Sequence, residues 1–291
     1  MPLFSRLAII GVGLIGGSIG KAARERGVAG EVVGLVRSER SASRASAAGV
    51  VDSVTLDPVE ACRGADFVLI GTPVRAIVET LGAVLPHLPN SAIITDAGST
   101  KATVVGGAER LLAPSAAGHR FVGSHPLAGD HRTGPEAARA DLLDGKTVVV
   151  TPTDATDDGA LQQTTRFWEG LGARVASMPP GEHDSLVAQT SHLPHLVASL
   201  LANEIDDDAL PFVASGWRDT TRVASGDPDL WIDILRENRG ELQTAAERFR
   251  SRVDELVAGL ANEDWKTLRG FLNRGKQRRD AAGEGFASGH G

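Results

Sequence analysis

Eight histidines occur in the 291 residues, and five of them, His125, His131, His183, His192 and His195, crowd between positions 125 and 195. Packing alone gives no reason for such clustering. His125 directly follows the apolar run Phe121 to Gly123, so its imidazole should stand at the rim of a predicted sheet. A group that titrates near neutral pH suits a general base or hydrogen-bond acceptor for a substrate hydroxyl there. His192 and His195 lie three apart on one predicted helix face, with His183 about two and a half turns earlier. No HExxH or CxxC pattern accompanies them and no carboxylate stands at ligand spacing. The set therefore reads as substrate binding with structural hydrogen bonds, and no metal is expected.

Two further groups complete the chemistry. Ser99, in Thr95-Asp96-Ala97-Gly98-Ser99-Thr100-Lys101, sits at a strand end before a helix start, where it can cap the helix, hold a neighbouring histidine, or do both. Lys101 reads as a solvated helix residue. Arg222, in Arg218-Asp219-Thr220-Thr221-Arg222, carries a guanidinium fork suited to a carboxylate, with Asp219 either presetting it or simply pairing with it at a helix terminus. Trp217 and Trp231 read as core or interface anchors.

The elements that must position these groups begin with Ala8-Ile-Ile-Gly-Val-Gly-Leu-Ile-Gly-Gly17, an apolar run that feeds a GxGxxG turn and then a helical stretch. Gly11 allows the tight turn, Gly13 leaves room for a pyrophosphate, and Gly16 lets helix and strand pack closely, so Gly11, Gly13, Leu14, Ile15 and Gly16 form a dinucleotide cradle. After the second strand, Glu31 to Val36, the acid that would bond a ribose 2′-hydroxyl is missing. Arg37 and Ser38 stand there instead. They fit a 2′-phosphate, which slightly favours NADP over NAD, although Arg37 resting on the adenine face would admit both. Thr72 and Pro73, at the end of the strand Phe67 to Ile70, should line the ribose or nicotinamide side.

Strands are also expected at Ala92 to Thr95, Phe121 to Gly123, Thr147 to Thr151 and Arg174 to Ala176, alternating with helices up to about residue 178. That alternation implies a Rossmann-like, doubly wound, mainly parallel sheet. Beyond Pro179-Pro180-Gly181 long helical patterns take over, at His183 to Asn203, Trp231 to Leu260 and Asn262 to Arg274. The expected domains are 1–178 for the dinucleotide and 179–277 for an all-helical dimerisation and substrate domain, with 278–291 as a flexible tail. Pro194 should start or kink a helix. One cysteine, Cys62, rules out an internal disulfide and suits a reducing cytoplasm. A net charge of -7 argues against nucleic acid or an acidic membrane as partner, and neither a targeting nor a membrane segment is read.

Taken together, GVGLIGGS, TDAGSTK, GSHPLAGDHRTGP, TVVVTPT, HDSLVAQTSHLPH and RDTTRVASGDPDLWIDI resemble the prephenate/arogenate dehydrogenase family, the cyclohexadienyl dehydrogenases of tyrosine biosynthesis, from residue 6 to about 275. The resemblance implies an NAD(P)-dependent oxidative decarboxylation of prephenate to 4-hydroxyphenylpyruvate. The alternative is arogenate, giving tyrosine directly. It implies His125 as the catalytic histidine and Ser99 as its assistant. Arg222 becomes the ligand of a substrate carboxylate, and His183, His195, His131 and Ser124 fall on the substrate side. A homodimer through the helical domain is expected. At His131 the family often carries a Glu, a departure from its pattern.

Two rivals are disfavoured by residues. A β-hydroxyacid dehydrogenase would need a lysine on the first interdomain helix, and no lysine occurs between Lys146 and Lys266. A non-enzymatic NADP-binding protein would have no use for Ser99, His125 and Arg222 together.

Overall fold

The computed structural model describes residues 1–113, 120–129 and 132–287. Eight strands form one sheet: β1 (Phe4–Ile10), β2 (Ala29–Leu35), β3 (Ser53–Thr55), β4 (Phe67–Ile70), β5 (Ile93–Asp96), β6 (Phe121–Pro126), β7 (Thr147–Thr151) and β8 (Arg174–Ser177). Their order is β3-β2-β1-β4-β5-β6-β7-β8. Every neighbour pair is parallel except β6 and β7. The chain starts at β1, winds outward to β3, and returns past β1 to β4, which puts a topological switch point between β1 and β4.

Alternation along these strands divides the core. Leu7, Ile9, Phe67 and Leu69 belong to one buried cluster and Ala8, Ile10, Val68 and Ile70 to another, as expected when successive side chains leave opposite faces of a sheet covered on both sides. Phe67 stacks on Phe167 with ring centroids 4.3 Å apart, and Phe4 packs at 4.4 Å from Phe67, locking the helix Asp158–Gly170 onto the first face. β6 changes partner midway. Ile94 and Thr95 of β5 pair with Phe121 and Val122, after which Gly123 to Pro126 run antiparallel to β7. His125 therefore lies within β6, opposite Val149, rather than just after a strand.

The chain divides into two compact units, Met1–Glu241 and Leu242–Gly291. Helices following residue 179, as far as Glu237, belong to the first unit with the sheet. The second unit holds most of the helix Arg239–Ala261 and the helix Trp265–Ala287. The latter continues ten residues or so past the expected start of the tail at 278, where the helix-forming run Lys276 to Ala282 overrides the glycines that follow. Within this unit Gly259 meets Leu268, where a Cβ would come within 3.1 Å, and Glu263 adopts a positive φ of 51° in the connecting turn. Val257, Leu260, Trp265 and Leu272 are all more than half exposed.

Candidate active site

The phosphate turn has the backbone that its glycines imply. Gly11 has φ +96°, and a Cβ there would come within 2.9 Å of the Gly71 carbonyl at the end of β4. A Cβ on Gly16 would collide with the Gly11 carbonyl oxygen, so strand and helix approach as closely as two backbones can. Gly13 differs, since no atom lies within 4 Å of the place its Cβ would occupy. It heads the helix α1 (Leu14–Glu25), whose N-terminus receives no side-chain cap and has no acid in its first turn. Uncapped N–H groups and open space at Gly13 suit a pyrophosphate, with Leu14 and Ile15 half-buried beside it. Thr72 and Pro73 adjoin this turn through Gly71. Arg37 is exposed, whereas Ser38 caps the helix Glu39–Ala47 by accepting from Ser41 N at 3.2 Å.

From β1 to β6 is three inter-strand steps, and at about 4.8 Å per step the phosphate turn and His125 stand roughly 14 Å apart across the sheet. That is a separation which an extended dinucleotide spans.

His125 is half-buried, and its Nδ1 lies 2.9 Å from His183 Nε2. His183 opens this line inward from the helix Pro180–Val187, with its Nδ1 at 2.8 Å from Asp184 Oδ1. Asp184 also accepts from Lys101 N at 2.7 Å and Ala102 N at 2.9 Å, and so caps the helix α2 (Ala102–Leu112) from 83 residues away. Ser99 does not cap it. Ser99 is half-exposed and bonds no histidine among the described residues, because the cap position falls at Lys101.

Lys101 is the largest departure from expectation. It is 0% exposed, its ammonium pairs with Asp96 and donates to the Ser124 carbonyl at 2.8 Å. Asp96 in turn accepts from Ser124 N at 3.0 Å and Gly98 N at 2.8 Å. The pair thus pins the stretch of β6 beside His125 where that strand leaves β5. Burial lowers the Lys101 pKa, with Asp96 and then Asp184 acting against it.

Two residues expected on the substrate side are sealed. Ser124 is fully buried, its hydroxyl shared with Thr95 Oγ1 at 2.8 Å and Trp168 Nε1 at 3.1 Å. His183 is equally buried, and both of its ring nitrogens face protein groups, His125 and Asp184. His131 lies outside the described residues.

The remaining histidines form a wall. A π-helical turn, Ala188–His192, joins the helix Pro180–Val187 to Leu193–Asn203, with Pro194 in the latter's first turn, where its missing N–H costs nothing. Asn238 Nδ2 donates to the Asp184 carbonyl at 2.8 Å and to His192 Nδ1 at 3.1 Å. His195 stacks on Trp231 at 3.5 Å, and a Cβ on Gly226 would touch both rings. The His195 Nδ1 is buried without a partner among the described residues. Gly226 ends the turn that Arg222 begins, Arg222–Ser225, which packs on the helix bearing His195. Arg222 is exposed and pairs with no carboxylate among the described residues, Asp219 included.

Electrostatics favour neutral rings here. Burial first, then His183, Lys101 and His192, hold the His125 pKa well below the usual histidine value. Burial brings His192 to about 4 and lowers His195 as well. A neutral His125 whose Nε2 makes no bond among the described residues is equipped to accept a proton. Sequence reasoning reads Lys101 as solvated and passes over Asp96, Asp184 and Asn238, although Asp96 and Asp184 lie inside the quoted TDAGSTK and HDS segments.

Among the described residues, no helix is long and apolar enough to cross a membrane. A family model described as prephenate dehydrogenase, nucleotide-binding domain, matches residues 19–177, and one described as prephenate dehydrogenase, dimerization domain, matches 179–274. The chain is 35% identical over 271 residues to a cyclohexadienyl dehydrogenase of Zymomonas mobilis, covering 91% of each. Its fold is similar to that of a prephenate dehydrogenase from A. aeolicus, solved with hydroxyphenyl propionate and NAD+, with TM-score 0.88, 33% identity, and 96% and 98% of the two chains covered. It is also similar to Synechocystis arogenate dehydrogenase, with TM-score 0.81, 30% identity, and 95% and 99% covered.

Proposed function

From the premise that this chain belongs to the prephenate dehydrogenase family, we propose that His125 accepts the 4-hydroxyl proton of prephenate, that Arg222 binds a substrate carboxylate, and that Ser99 assists His125. The chain is an oxidoreductase, and its reaction is the NAD(P)-dependent oxidative decarboxylation of prephenate to 4-hydroxyphenylpyruvate. The observation that carries the site reading is a neutral His125 whose Nε2 makes no bond among the described residues, held on β6 three strands from the phosphate turn.

When bound, NAD(P) supplies the hydride acceptor. Gly11, Gly13, Leu14, Ile15 and Gly16 would hold its pyrophosphate, Thr72 and Pro73 would line its path toward β6, and Arg37 with Ser38 would meet the adenosine ribose. Arg37 in place of an acid favours NADP slightly, with Ser38 contributing less because its hydroxyl already caps a helix. The chain's own task is alignment, a proton acceptor and carboxylate recognition. His195 is assigned to the substrate side by the family resemblance alone, since it is buried against Trp231. The hydroxyphenyl propionate bound by the A. aeolicus relative shares the ring and three-carbon arm of the product expected here. Exposed Val257, Leu260, Trp265 and Leu272 support a homodimer built through the helical segment 179–277, and the single cysteine suits a cytoplasmic setting.

The test is nicotinamide reduction followed spectrophotometrically with prephenate, then arogenate, each with NAD and NADP. Prephenate turnover is expected, falling about 10²-fold or more in His125→Asn with dinucleotide affinity unchanged. Arg222→Gln should chiefly raise KM. Unaltered turnover in His125→Asn would remove that residue from the mechanism, and exclusive use of arogenate would reassign the substrate.

A further inference from the structure

Behind His125 the chain has built more than a base requires. His183 is fully buried, so its contribution passes through its neighbours: Nε2 toward His125 Nδ1 at 2.9 Å and Nδ1 toward Asp184 at 2.8 Å. A carboxylate only accepts, so the proton between His183 and Asp184 belongs to His183 Nδ1. In a neutral ring that leaves a lone pair on His183 Nε2. His125 must then donate from Nδ1, and its own Nε2 is left bare. Each hydrogen bond dictates the next, and the last nitrogen in the series is the one that makes no bond among the described residues.

The geometry points to His183 and Asp184 as a relay of positioning residues that fixes His125 in the tautomer with Nε2 unprotonated and spreads the charge arising when Nε2 takes the substrate proton. This rests on the reading of His125 as proton acceptor. Asp184 is held for the task. Two backbone amides at the start of α2 bind its oxygens, and Asn238 grips its backbone carbonyl.

The charges that face His125 come from every element around it. Lys101, although paired with Asp96, still disfavours charge on His125, and His192 is bonded to Asn238; Asp184, at the far end of the His183 bond, is the anion placed to balance an imidazolium. Proton bookkeeping shows why balance matters. The hydroxyl proton moves to His125 Nε2 as the ring carbon gives up its hydride. The bond to the ring carboxylate then breaks as CO2 leaves, its electron pair remaining in the ring and ending as a phenolate on the same oxygen. That phenolate takes the proton back. No proton is released to solvent, and the relay carries positive charge only while the ring is being remade.

The experiment is a long-range ¹H–¹⁵N spectrum of the full-length, histidine-labelled protein, assigned with His125→Asn, beside steady-state kinetics. A proton on Nδ1 and a bare Nε2 are expected for His125 in the wild type, with that preference lost in Asp184→Asn. The same variant should lose about 10²-fold or more in kcat, with KM and dinucleotide affinity within about twofold. The acid limb of its kcat profile should move to lower pH, because removing an anion weakens the proton affinity of the pair. Should Asp184→Asn loosen α2, His183→Gln leaves the carboxylate on its two amides and carries the same comparison. A wild-type His125 protonated on Nε2, or folded variants with wild-type kcat and acid limb, would overturn the relay. A wild-type enzyme that left prephenate untouched would overturn instead the reading of the reaction, a result read separately from the histidine spectrum.

Discussion

Replacing Lys101 by methionine tests the most deeply buried charge in the site. The side chain is 0% exposed, and so is its partner Asp96. Methionine matches the length of the lysine stem, so little cavity should form. What changes is charge: Asp96 keeps its bonds from Ser124 N and Gly98 N, but its counterion is gone and the Ser124 carbonyl loses a donor. Stranding one member of a buried ion pair costs about 3–5 kcal/mol. For a unit of this size about 2–4 °C of Tm accompanies each kcal/mol, so a fall of roughly 6–20 °C is expected. Differential scanning calorimetry of Lys101→Met, Asp96→Asn and the double variant measures it. The double variant should be more stable than Lys101→Met, since a neutral asparagine needs no counterion, even though its one carbonyl oxygen can accept from only one of the two amides that Asp96 serves with separate oxygens. A Lys101→Met protein within about 1 kcal/mol of wild type would refute the argument, because the ammonium would then have been contributing nothing that methionine lacks.

Two glycines of the phosphate turn should separate folding from binding. Gly13→Ala puts its methyl into open space and should leave Tm unchanged while weakening dinucleotide affinity by about 10–100-fold, about 1.4–2.8 kcal/mol, as measured by fluorescence titration. Gly16→Ala drives a methyl into the Gly11 carbonyl and should destabilise the protein itself; equal Tm values for the two variants would contradict the geometry. Acid sensitivity should follow from His192, whose folded pKa of about 4 lies below its ordinary 6.5. The unfolded chain therefore binds the proton first, and stability falls as pH drops from about 6.5 to about 4, by on the order of 3 kcal/mol. His192→Gln, which keeps an acceptor for Asn238, should flatten this slope in urea denaturation across that range; an unchanged slope would assign the sensitivity elsewhere.

Much of this site could be read from local patterns because local chemistry dictates it. The strands Phe67–Ile70 and Thr147–Thr151 are fully apolar or β-branched runs and occur where expected. β3, three residues at the sheet edge with one buried side chain, offers no such run and escaped notice. The pattern from Trp231 to Leu260 reads as one helix, yet the chain breaks it at Asn238 so that a carboxamide can reach Asp184 and His192. Periodicity carries no trace of that need. Lys101 shows the same limit, because a lysine at a helix start is solvated unless a distant strand happens to bury it. Ser99 and Asp184 exchanged the capping role for a similar reason, as a carboxylate from 83 residues away competes with a local hydroxyl and wins with two bonds. Ser124 and His183 carry the right chemistry for substrate contact, but burial decides access and burial is a property of the whole sheet.

Because a single carboxylate at position 184 both anchors the beginning of one helix and terminates the histidine series, its replacement alters architecture and proton affinity together. Descendants of this scaffold are thereby barred from retuning their base by small steps at that point. Variation in substrate range is channelled instead to places without such double duty, foremost the short turn that begins at Arg222, where the side chain leans on no acid among the described residues and exchange is structurally cheap.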